Sequence, residues 1–272
     1  MKHFSLNING AQIYVEQCGS GEPLLMVPGV GAGSWLWNSM APDLSKNYEL
    51  IMPHLRGSGR SEKPDHSYSV PQMAEDMTAI VDQMGYEKFH ILGVSLGGYI
   101  AQQFAIRWPK KVASLALIAT SSGGSDSIGP DGNTLSQSIR LRGKTRKERL
   151  EEIYQLNFTE DFIQNNGEEL DKITNWRIQY PQPEFAYYRQ ILAGYGYIQN
   201  GTLDAVSVPT FIAGGKDDKM IPLDDVKMLH QKINQSILKI YEGKHLFFFE
   251  DREQFNQDVI SFIQSHPIEG GK

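Results

Sequence analysis

The sequence predicts an α/β protein in which a mostly parallel central sheet of about eight strands carries helices on both faces and an inserted helical cap. Short apolar runs alternate along the chain with segments of helical periodicity, which is typical of a parallel sheet covered by helices. The alternation stops between residues 121 and 207, and this interruption predicts the cap. A chain of 272 residues, 40% of them hydrophobic, is long enough to bury the core of such a domain.

The predicted strands fall into two groups. Near the N-terminus, two segments alternate apolar and polar residues around Asn9-Gly10, which predicts a β-hairpin. The later runs are more continuously apolar, as expected for strands buried on both faces. In chain order, the predicted strands are Phe4–Ile8, Ile13–Glu16, Leu24–Val27, Glu49–Pro53, Phe89–Gly93, Val112–Ala119, Thr210–Gly214 and Ile237–Tyr241.

One helix is predicted by the spacing of its apolar residues. The positions i, i+4, i+7 and i+11 of this segment are occupied by Met73, Met77, Ile80 and Met84. Ser69 precedes the segment as a capping residue, and Gly85 follows it where a C-terminal glycine cap belongs. We expect the methionines to pack in the core rather than to form a binding surface.

These patterns divide the chain into a core domain of residues 1–120 and 208–272 and a helical cap of residues 121–207. The cap begins with a flexible Ser-Ser-Gly-Gly-Ser stretch and is rich in aromatic side chains. We expect a few of these to contact a substrate and the others to pack within the cap. The aromatic residues in question are Trp176, Tyr180, Phe185, Tyr187, Tyr188, Tyr195 and Tyr197.

The charge and the cysteine content exclude several classes of protein. The formal net charge of −6 argues against a nucleic-acid partner, because phosphate binding needs clustered Lys and Arg. Cys18 is the single cysteine, so neither an internal disulfide nor a cysteine-based metal site is expected. No apolar run approaches the ~20 residues of a membrane helix, and the N-terminal segment has the pattern of a strand rather than of a signal peptide. The sequence therefore predicts a cytoplasmic protein without nucleic-acid or membrane partners, and it leaves the oligomeric state open.

The segment Gly93–Gly97 has the pattern G-x-S-x-G of a nucleophile elbow. The apolar run Phe89–Leu92 leads directly into it, and Leu96–Trp108 has the composition of a helix that leads out of it. A sharp turn of this kind holds the serine in a strained conformation at a helix N-terminus, where small neighbours avoid clashes and free amides favour negative charge. Ser95 is therefore the candidate nucleophile.

The glycine-rich segment after the strand Leu24–Val27 is the candidate oxyanion loop. A backbone amide from this loop pairs with the amide of the residue after the nucleophile, which makes Val30 and Leu96 the candidate donors. A dinucleotide-binding loop is the alternative, because Gly29-x-Gly31 begins such a fingerprint. Ser34 stands where its third glycine belongs, so we favour the oxyanion loop.

His245 follows the last predicted strand, at the sheet edge where the catalytic groups of open α/β sheets gather. It is therefore the candidate base. The orienting acid is expected in the loop after the preceding strand, where Asp217 and Asp218 are adjacent. Spacing favours Asp218, with Asp217 as the alternative. The order Ser95, Asp218, His245 is that of nucleophile, acid and base in one class of α/β enzymes.

Four motifs together resemble the α/β-hydrolase family, in its cap-bearing serine hydrolase branch of esterases, lactonases, perhydrolases and carbon–carbon bond hydrolases. The resemblance covers nearly the whole chain, and its motifs are Gly93–Gly97, Gly215–Pro222, Gly243–His245 and Leu55–Ser61. Two positions depart from the family pattern. Pro28 precedes Gly29 where the family usually has His, and His54 stands where Asp is common. His54 is either a second titratable group near the pocket or a surface residue.

The resemblance implies a serine hydrolase that cleaves a small, mostly apolar ester or lactone through an acyl-enzyme, with no metal and no other cofactor. Trp35, Met220 and Leu246 are the candidate substrate contacts, and Trp37 is expected near the same pocket. A small-molecule sensor that keeps the triad and signals to a protein partner is the alternative function. Aminopeptidase and carbon–carbon bond hydrolase activities stay open.

Overall fold

The computed structural model describes residues 1–139, 145–197 and 203–268. Within these ranges, eight strands form one sheet in the order β1-β2-β4-β3-β5-β6-β7-β8, antiparallel from β1 to β4 and parallel from β4 to β8. The predicted fold class is therefore confirmed. The strands β1 to β8 are Lys2–Ile8, Ala11–Gly19, Glu22–Val27, Tyr48–Pro53, Phe89–Val94, Val112–Ile118, Thr210–Gly215 and Ser236–Tyr241.

Helices occupy the segments between the strands and after the last one. None of the helices in the described ranges is long and apolar enough to cross a membrane. The helices α1 to α11 are Ala41–Leu44, Val70–Gln83, Leu96–Arg107, Gly132–Ile139, Arg146–Asn157, Glu160–Asn165, Gly167–Gln179, Glu184–Tyr195, Leu223–Lys232, Phe247–Glu250 and Arg252–Gln264. Short 3-10 turns lie at Ser34–Trp37, Pro109–Lys111 and Leu203–Ala205.

The sheet separates two apolar cores, because successive residues of a strand point to opposite faces. Leu25 packs in the core that contains α2, α3 and α9, whereas Leu24 packs in the core that contains α1 and α11. The same alternation repeats along the other parallel strands. Burial on both faces explains why these strands have continuously apolar sequences.

The predicted hairpin and the predicted methionine helix are both present. Asn9 and Gly10, each with a positive φ, form the turn between β1 and β2. In α2, Met73 and Met77 are fully buried, and Ser69 accepts a hydrogen bond from the Gln72 amide at the N-terminus. The methionines are core residues, because α2 packs against α3 and β1.

Helices α4 to α8, which we call the cap helices, lie between β6 and β7. Helix α8 contacts α3, and α7 contacts the turn at Ser34–Trp37. Both of these core elements follow the carboxyl end of a parallel strand, so the cap helices cover the edge of the sheet where the predicted site residues lie. The predicted boundaries of the cap, at residues 121 and 207, stay a prediction.

Candidate active site

Ser95 lies on a sharp turn between β5 and α3. Its backbone has φ 56° and ψ −119°, a conformation that costs a non-glycine residue about 1–3 kcal/mol. The turn is held by its neighbours, since the Ser95 amide donates to the Ile118 carbonyl at 2.9 Å and the Thr120 hydroxyl donates to the Ser95 carbonyl at 3.0 Å. The strained serine is thus fixed from β6, and its half-buried side chain faces a cavity.

Two glycines allow this turn to pack against the sheet. A Cβ at Gly93 would lie 2.3 Å from the Gly97 carbonyl oxygen, and a Cβ at Gly97 would lie 2.0 Å from the Val27 carbonyl oxygen. Neither contact leaves room for a side chain, because backbone atoms cannot move aside easily. The pattern G-x-S-x-G is therefore a packing requirement at this turn.

The segment Pro28–Trp35 carries the predicted oxyanion donor and is packed between the elbow and the cap helices. A Cβ at Gly29 would lie 3.1 Å from Ser95 Cβ, so this loop passes directly beside Ser95. A Cβ at Gly31 would meet the Gln182 side chain at 2.7 Å, and one at Gly33 would meet Trp176 at 2.2 Å. All three glycines are thus accounted for by close packing, which leaves no reason to invoke a dinucleotide.

The predicted amide donors lie in the same loop and at the start of α3. Val30 and Leu96 both line the cavity that Ser95 faces. Leu96 is the first residue of α3, where backbone N–H groups lack partners within the helix. Among the hydrogen bonds of the described residues, neither amide has an acceptor. Both are therefore available to an oxygen atom of a bound substrate.

His245 and Asp218 form a buried pair at the ends of β8 and β7. Nδ1 of His245 lies 2.7 Å from Oδ2 of Asp218, and the two residues are 4% and 5% exposed. The other carboxylate oxygen accepts the amides of Met220 and Ile221 at 2.8 and 2.9 Å, which fixes its orientation. Asp217, the alternative acid, is exposed.

One cavity of about 330 Å³ brings the predicted groups together. Ser95 and His245 both line it, and among the described residues the Ser95 hydroxyl has no hydrogen-bond partner. In ligand-free enzymes, the hydrogen bond between nucleophile and base is often long and shortens only when substrate binds. Trp35, Met220 and Leu246, the predicted substrate contacts, also line the cavity.

The aromatic residues of the cap divide between this cavity and the interior of the fold. Tyr187 and Tyr195 line the cavity, whereas Tyr197 packs against Tyr99. Trp37 is 1% exposed in a core and does not line the cavity, so the expectation that it contributes to the pocket is wrong. The 3-10 turn at Ser34–Trp37 directs Trp35 towards the cavity and buries Trp37.

His54 is buried, so the interpretation as a surface residue is wrong. It is 1% exposed, and it does not line the cavity. Its Nδ1 accepts the Arg60 amide at 2.9 Å, and its Nε2 lies 2.7 Å from the Ser34 hydroxyl and 3.2 Å from the Ser34 amide, which donates to it. That hydroxyl donates to Glu16 at 2.6 Å.

Burial lowers the pKa of His54 to about 3, and the nearby charges of Arg60 and Lys63 contribute to the same shift. The ring is therefore neutral at physiological pH. Its hydrogen bonds with Ser34 and with the Arg60 amide tie the loop that follows β3 to the segment after β4. A structural role in the core follows from this arrangement.

Two residues near the site were not predicted from the sequence. Arg177 of α7 lines the cavity, with its guanidinium 5.4 Å from the centre of the Trp35 ring. Gln190 of α8 is fully buried and accepts the Gly31 amide at 2.9 Å. The position of Arg177 next to Trp176, in an aromatic segment, was a signal that could have been used. Gln190 has no such signal, because its partner is 159 positions away.

The chain is similar to known proteins over nearly its whole length. A protein-family model described as the alpha/beta hydrolase fold matches residues 22–129 of this chain. A poly(3-hydroxyalkanoate) depolymerase of Ectopseudomonas oleovorans is 28% identical over 242 residues, which cover 89% of this chain and 84% of that protein. A 2-hydroxy-6-oxononadienedioate/2-hydroxy-6-oxononatrienedioate hydrolase of Klebsiella pneumoniae is 27% identical over 278 residues, with coverages of 93% and 91%.

A solved structure agrees with the fold. The enol-lactonase of Burkholderia xenovorans superposes with a TM-score of 0.87 at 18% identity, and the alignment covers 96% of this chain and all of the lactonase. At this identity the likeness concerns the fold alone.

Proposed function

We propose that this protein, a hydrolase of the α/β-hydrolase fold, cleaves a small, mostly apolar carboxylic ester or lactone with Ser95 as its nucleophile. The observation that carries the proposal is the convergence of four groups on one cavity. The groups are the Ser95 hydroxyl, the His245–Asp218 pair and the amides of Val30 and Leu96. A hydroxyl, a base with its orienting acid and two amide donors are the parts that acyl transfer requires.

The first half of the proposed reaction is the attack on the substrate. Asp218 accepts a hydrogen bond from the Nδ1–H of His245, which leaves Nε2 of the ring unprotonated and able to take the proton from the Ser95 hydroxyl. The hydroxyl oxygen then bonds to the acyl carbon, and the carbonyl oxygen becomes an oxyanion that the two amides stabilise. A single donor of this kind is worth about 3–4 kcal/mol of the barrier.

The second half releases the products. The imidazolium of His245 donates its proton to the leaving alkoxide, which departs as an alcohol. Water then loses a proton to the same ring and attacks the acyl-enzyme, so that the acid is released and the Ser95 hydroxyl is regenerated. In a lactone, the alcohol and the acid are two ends of one product.

The cavity supports a compact and mostly apolar substrate. Its volume of about 330 Å³ lies at the lower end of the range for small-molecule sites. Trp35, Leu246 and Met220 provide apolar walls near the catalytic pair, whereas Arg177 and Tyr187 provide polar groups within the same cavity. An acyl or alcohol part of modest size, with one polar end, fits this lining. The relatives include a depolymerase of a polyester, which supports ester chemistry.

The experiment is labelling with a fluorophosphonate, followed by turnover of a panel of esters and lactones. We expect one label per chain at Ser95. The Ser95→Ala variant should not be labelled, and its turnover should be lower than that of the wild type by a factor on the order of 10⁶. Ser127→Ala is the matched control, because Ser127 also lines the cavity but does not lie on the elbow. The panel pairs neutral esters with esters that carry a carboxylate, so that it also reports whether Arg177 binds an anionic end.

Several outcomes would contradict the proposal. Folded protein that is not labelled at Ser95 would count against a serine nucleophile. Labelling at Ser95 without turnover of any ester or lactone would favour the sensor function. Turnover of 2-hydroxy-6-oxononadienedioate, which the name of one relative gives as a substrate, in preference to esters would favour carbon–carbon bond hydrolysis.

A further inference from the structure

The oxyanion loop contains a tight turn that has one backbone hydrogen bond among the described residues. Residues Gly29–Ala32 form a turn in which the Ala32 amide donates to the Gly29 carbonyl at 3.3 Å, longer than the usual 2.9–3.0 Å for such bonds. Gly31 has φ +64°, as required at the third position of a type II turn. A glycine turn with one long hydrogen bond needs outside support to keep a single conformation.

The outside support comes from Gln190 of the cap helix α8. Its side chain is fully buried, and its Oε1 accepts the Gly31 amide at 2.9 Å and the Gln182 side-chain amide at 3.0 Å. Its Nε2 donates to the Arg56 carbonyl at 2.8 Å. A flipped side-chain amide would place NH₂ against the Gly31 N–H and an oxygen against the Arg56 carbonyl, so the neighbours fix its orientation.

The structure assigns Gln190 as a positioning residue through which the cap helix α8 holds the oxyanion loop in its working conformation. The assignment rests on the proposed function, since it concerns the amide of Val30 as an oxyanion donor. Val30 lies between Gly29, which contacts Ser95, and Gly31, which Gln190 holds. Gln190 itself contacts no substrate in this scheme, because it acts through Gly31 and does not line the cavity.

The arrangement makes the oxyanion hole dependent on the cap. The Leu96 donor belongs to the core elbow, but the Val30 donor is kept in place by a residue of α8. A displacement of a catalytic group by about 1 Å can cost on the order of 100-fold in rate. Loss of the Gln190 contact should therefore reduce the rate of the chemical step more than it reduces substrate binding.

The test compares Gln190→Met with Gln182→Met on an ester and on its thionoester, in which sulfur replaces the carbonyl oxygen. Sulfur is a weak hydrogen-bond acceptor, so thionoester turnover gains little from the amide donors. For Gln190→Met, we expect kcat on the ester to fall about 10- to 100-fold with KM within about threefold. The ratio of ester to thionoester turnover should fall by about tenfold or more.

Gln182→Met is the matched control. It removes a neighbouring cap amide, which donates to Gln190 and to the Gly57 carbonyl and packs beside Gly31, but which accepts no hydrogen bond from the Gly31 amide. We expect its ester-to-thionoester ratio to stay within about twofold of the wild type. A fall in kcat for Gln190→Met at an unchanged ratio would mean general damage to the fold, and it would overturn the assignment.

Hydrogen exchange at the Gly31 amide gives a second readout that does not depend on turnover. We expect this amide to be protected in the wild type and in Gln182→Met, and to exchange faster by about tenfold or more in Gln190→Met. Equal protection in all three proteins would overturn the assignment. A wild type without Ser95-dependent turnover would instead refute the proposed function, so the two failures are distinguishable. If Gln190→Met does not fold, Gln190→Asn, which is one methylene shorter and stays polar, should show the same changes.

Discussion

Asp217 and Asp218 are adjacent in the sequence, but their side chains have different surroundings. Asp218 is buried against His245, whereas Asp217 is exposed. We expect Asp218→Asn to lower kcat by about 10³- to 10⁴-fold, because an amide can hold His245 in the wrong tautomer and cannot stabilise the imidazolium. Steady-state kinetics on the ester that the panel identifies provides the measurement.

The neighbouring Asp217→Asn is the control for this prediction. This substitution also removes one negative charge from the loop, and we expect the kcat of the variant to stay within about twofold of the wild-type value. An equal loss of activity in both variants would show that the net charge of the loop, rather than the contact with His245, matters.

The burial of His54 leads us to expect that the stability of the protein depends on pH. The pKa of the His54 ring is about 3 in the folded protein, whereas the ordinary pKa of 6.5 applies to the unfolded chain. As the pH falls, the unfolded chain therefore binds the proton first. The free energy of unfolding should therefore be highest above about pH 6.5 and decrease between about pH 6.5 and pH 3. From pH 7 to pH 5, the contribution of His54 to this decrease is about 2 kcal/mol.

Urea denaturation of the wild type and of His54→Gln at both pH values measures this contribution. The comparison is needed because burial also lowers the pKa of His90, which adds a decrease of the same sign. We expect the loss of stability from pH 7 to pH 5 to be smaller by about 2 kcal/mol in the variant. Equal losses in both proteins would mean that His54 is not responsible.

The elbow between β5 and α3 is an element whose geometry tolerates no side chain at its second glycine. A Cβ at Gly97 would lie 2.0 Å from the Val27 carbonyl oxygen in β3, so α3 would have to move away from the sheet. We expect Gly97→Ala to lower the free energy of unfolding by about 3 kcal/mol or more. Chemical denaturation monitored by circular dichroism is the measurement.

Gly167→Ala is the matched control for the elbow. Gly167 begins α7, and a Cβ there would meet nothing within 4 Å. Alanine should leave the stability unchanged or raise it by up to about 1 kcal/mol, because it reduces the entropy of the unfolded chain. A similar loss for both substitutions would show that the cost arises from helix starts in general and not from the contact with Val27.

At the scale of the whole molecule, one buried ion pair connects three parts of the fold. Arg56, after β4, donates to Asp76 of α2 at 2.6 and 2.7 Å, and both side chains are 1% exposed or less. Asp76 also accepts Asn9 of the β1–β2 turn at 3.0 Å. The Arg56 carbonyl accepts Gln190 of the cap. The hairpin, the helix and the cap therefore meet at this pair.

Removal of the acid should destabilise the whole protein. We expect Asp76→Asn to lower the free energy of unfolding by about 3–5 kcal/mol, because it leaves the Arg56 guanidinium buried without its counter-charge. Thermal and urea denaturation provide the measurement. The neighbouring Glu75→Gln removes an exposed pair with Arg107 and should change stability by no more than ~0.5 kcal/mol. A loss below ~1 kcal/mol for Asp76→Asn would contradict the prediction.

Elements with local signals could be predicted from the order of the amino acids alone. Ser95 could be placed on its turn because strand, elbow and helix follow one another within Phe89–Arg107, and the parallel strands were recognisable because burial on both faces makes them continuously apolar. His245 could be singled out as the candidate base among seven histidines because it directly follows a predicted strand. Such features depend on residues within a few positions of each other, so the local sequence is sufficient to predict them.

Contacts between side chains that are distant in the sequence could be identified only from the folded chain. The burial of His54 and the packing of Gly31 and Gly33 against the cap depend on contacts between distant segments. Gln190 is an extreme case, because a glutamine on a helix has no periodicity or spacing that identifies its partner 159 positions away. A hydrogen bond of this kind exists only after the cap helices have packed on the sheet, so a linear pattern cannot reveal it.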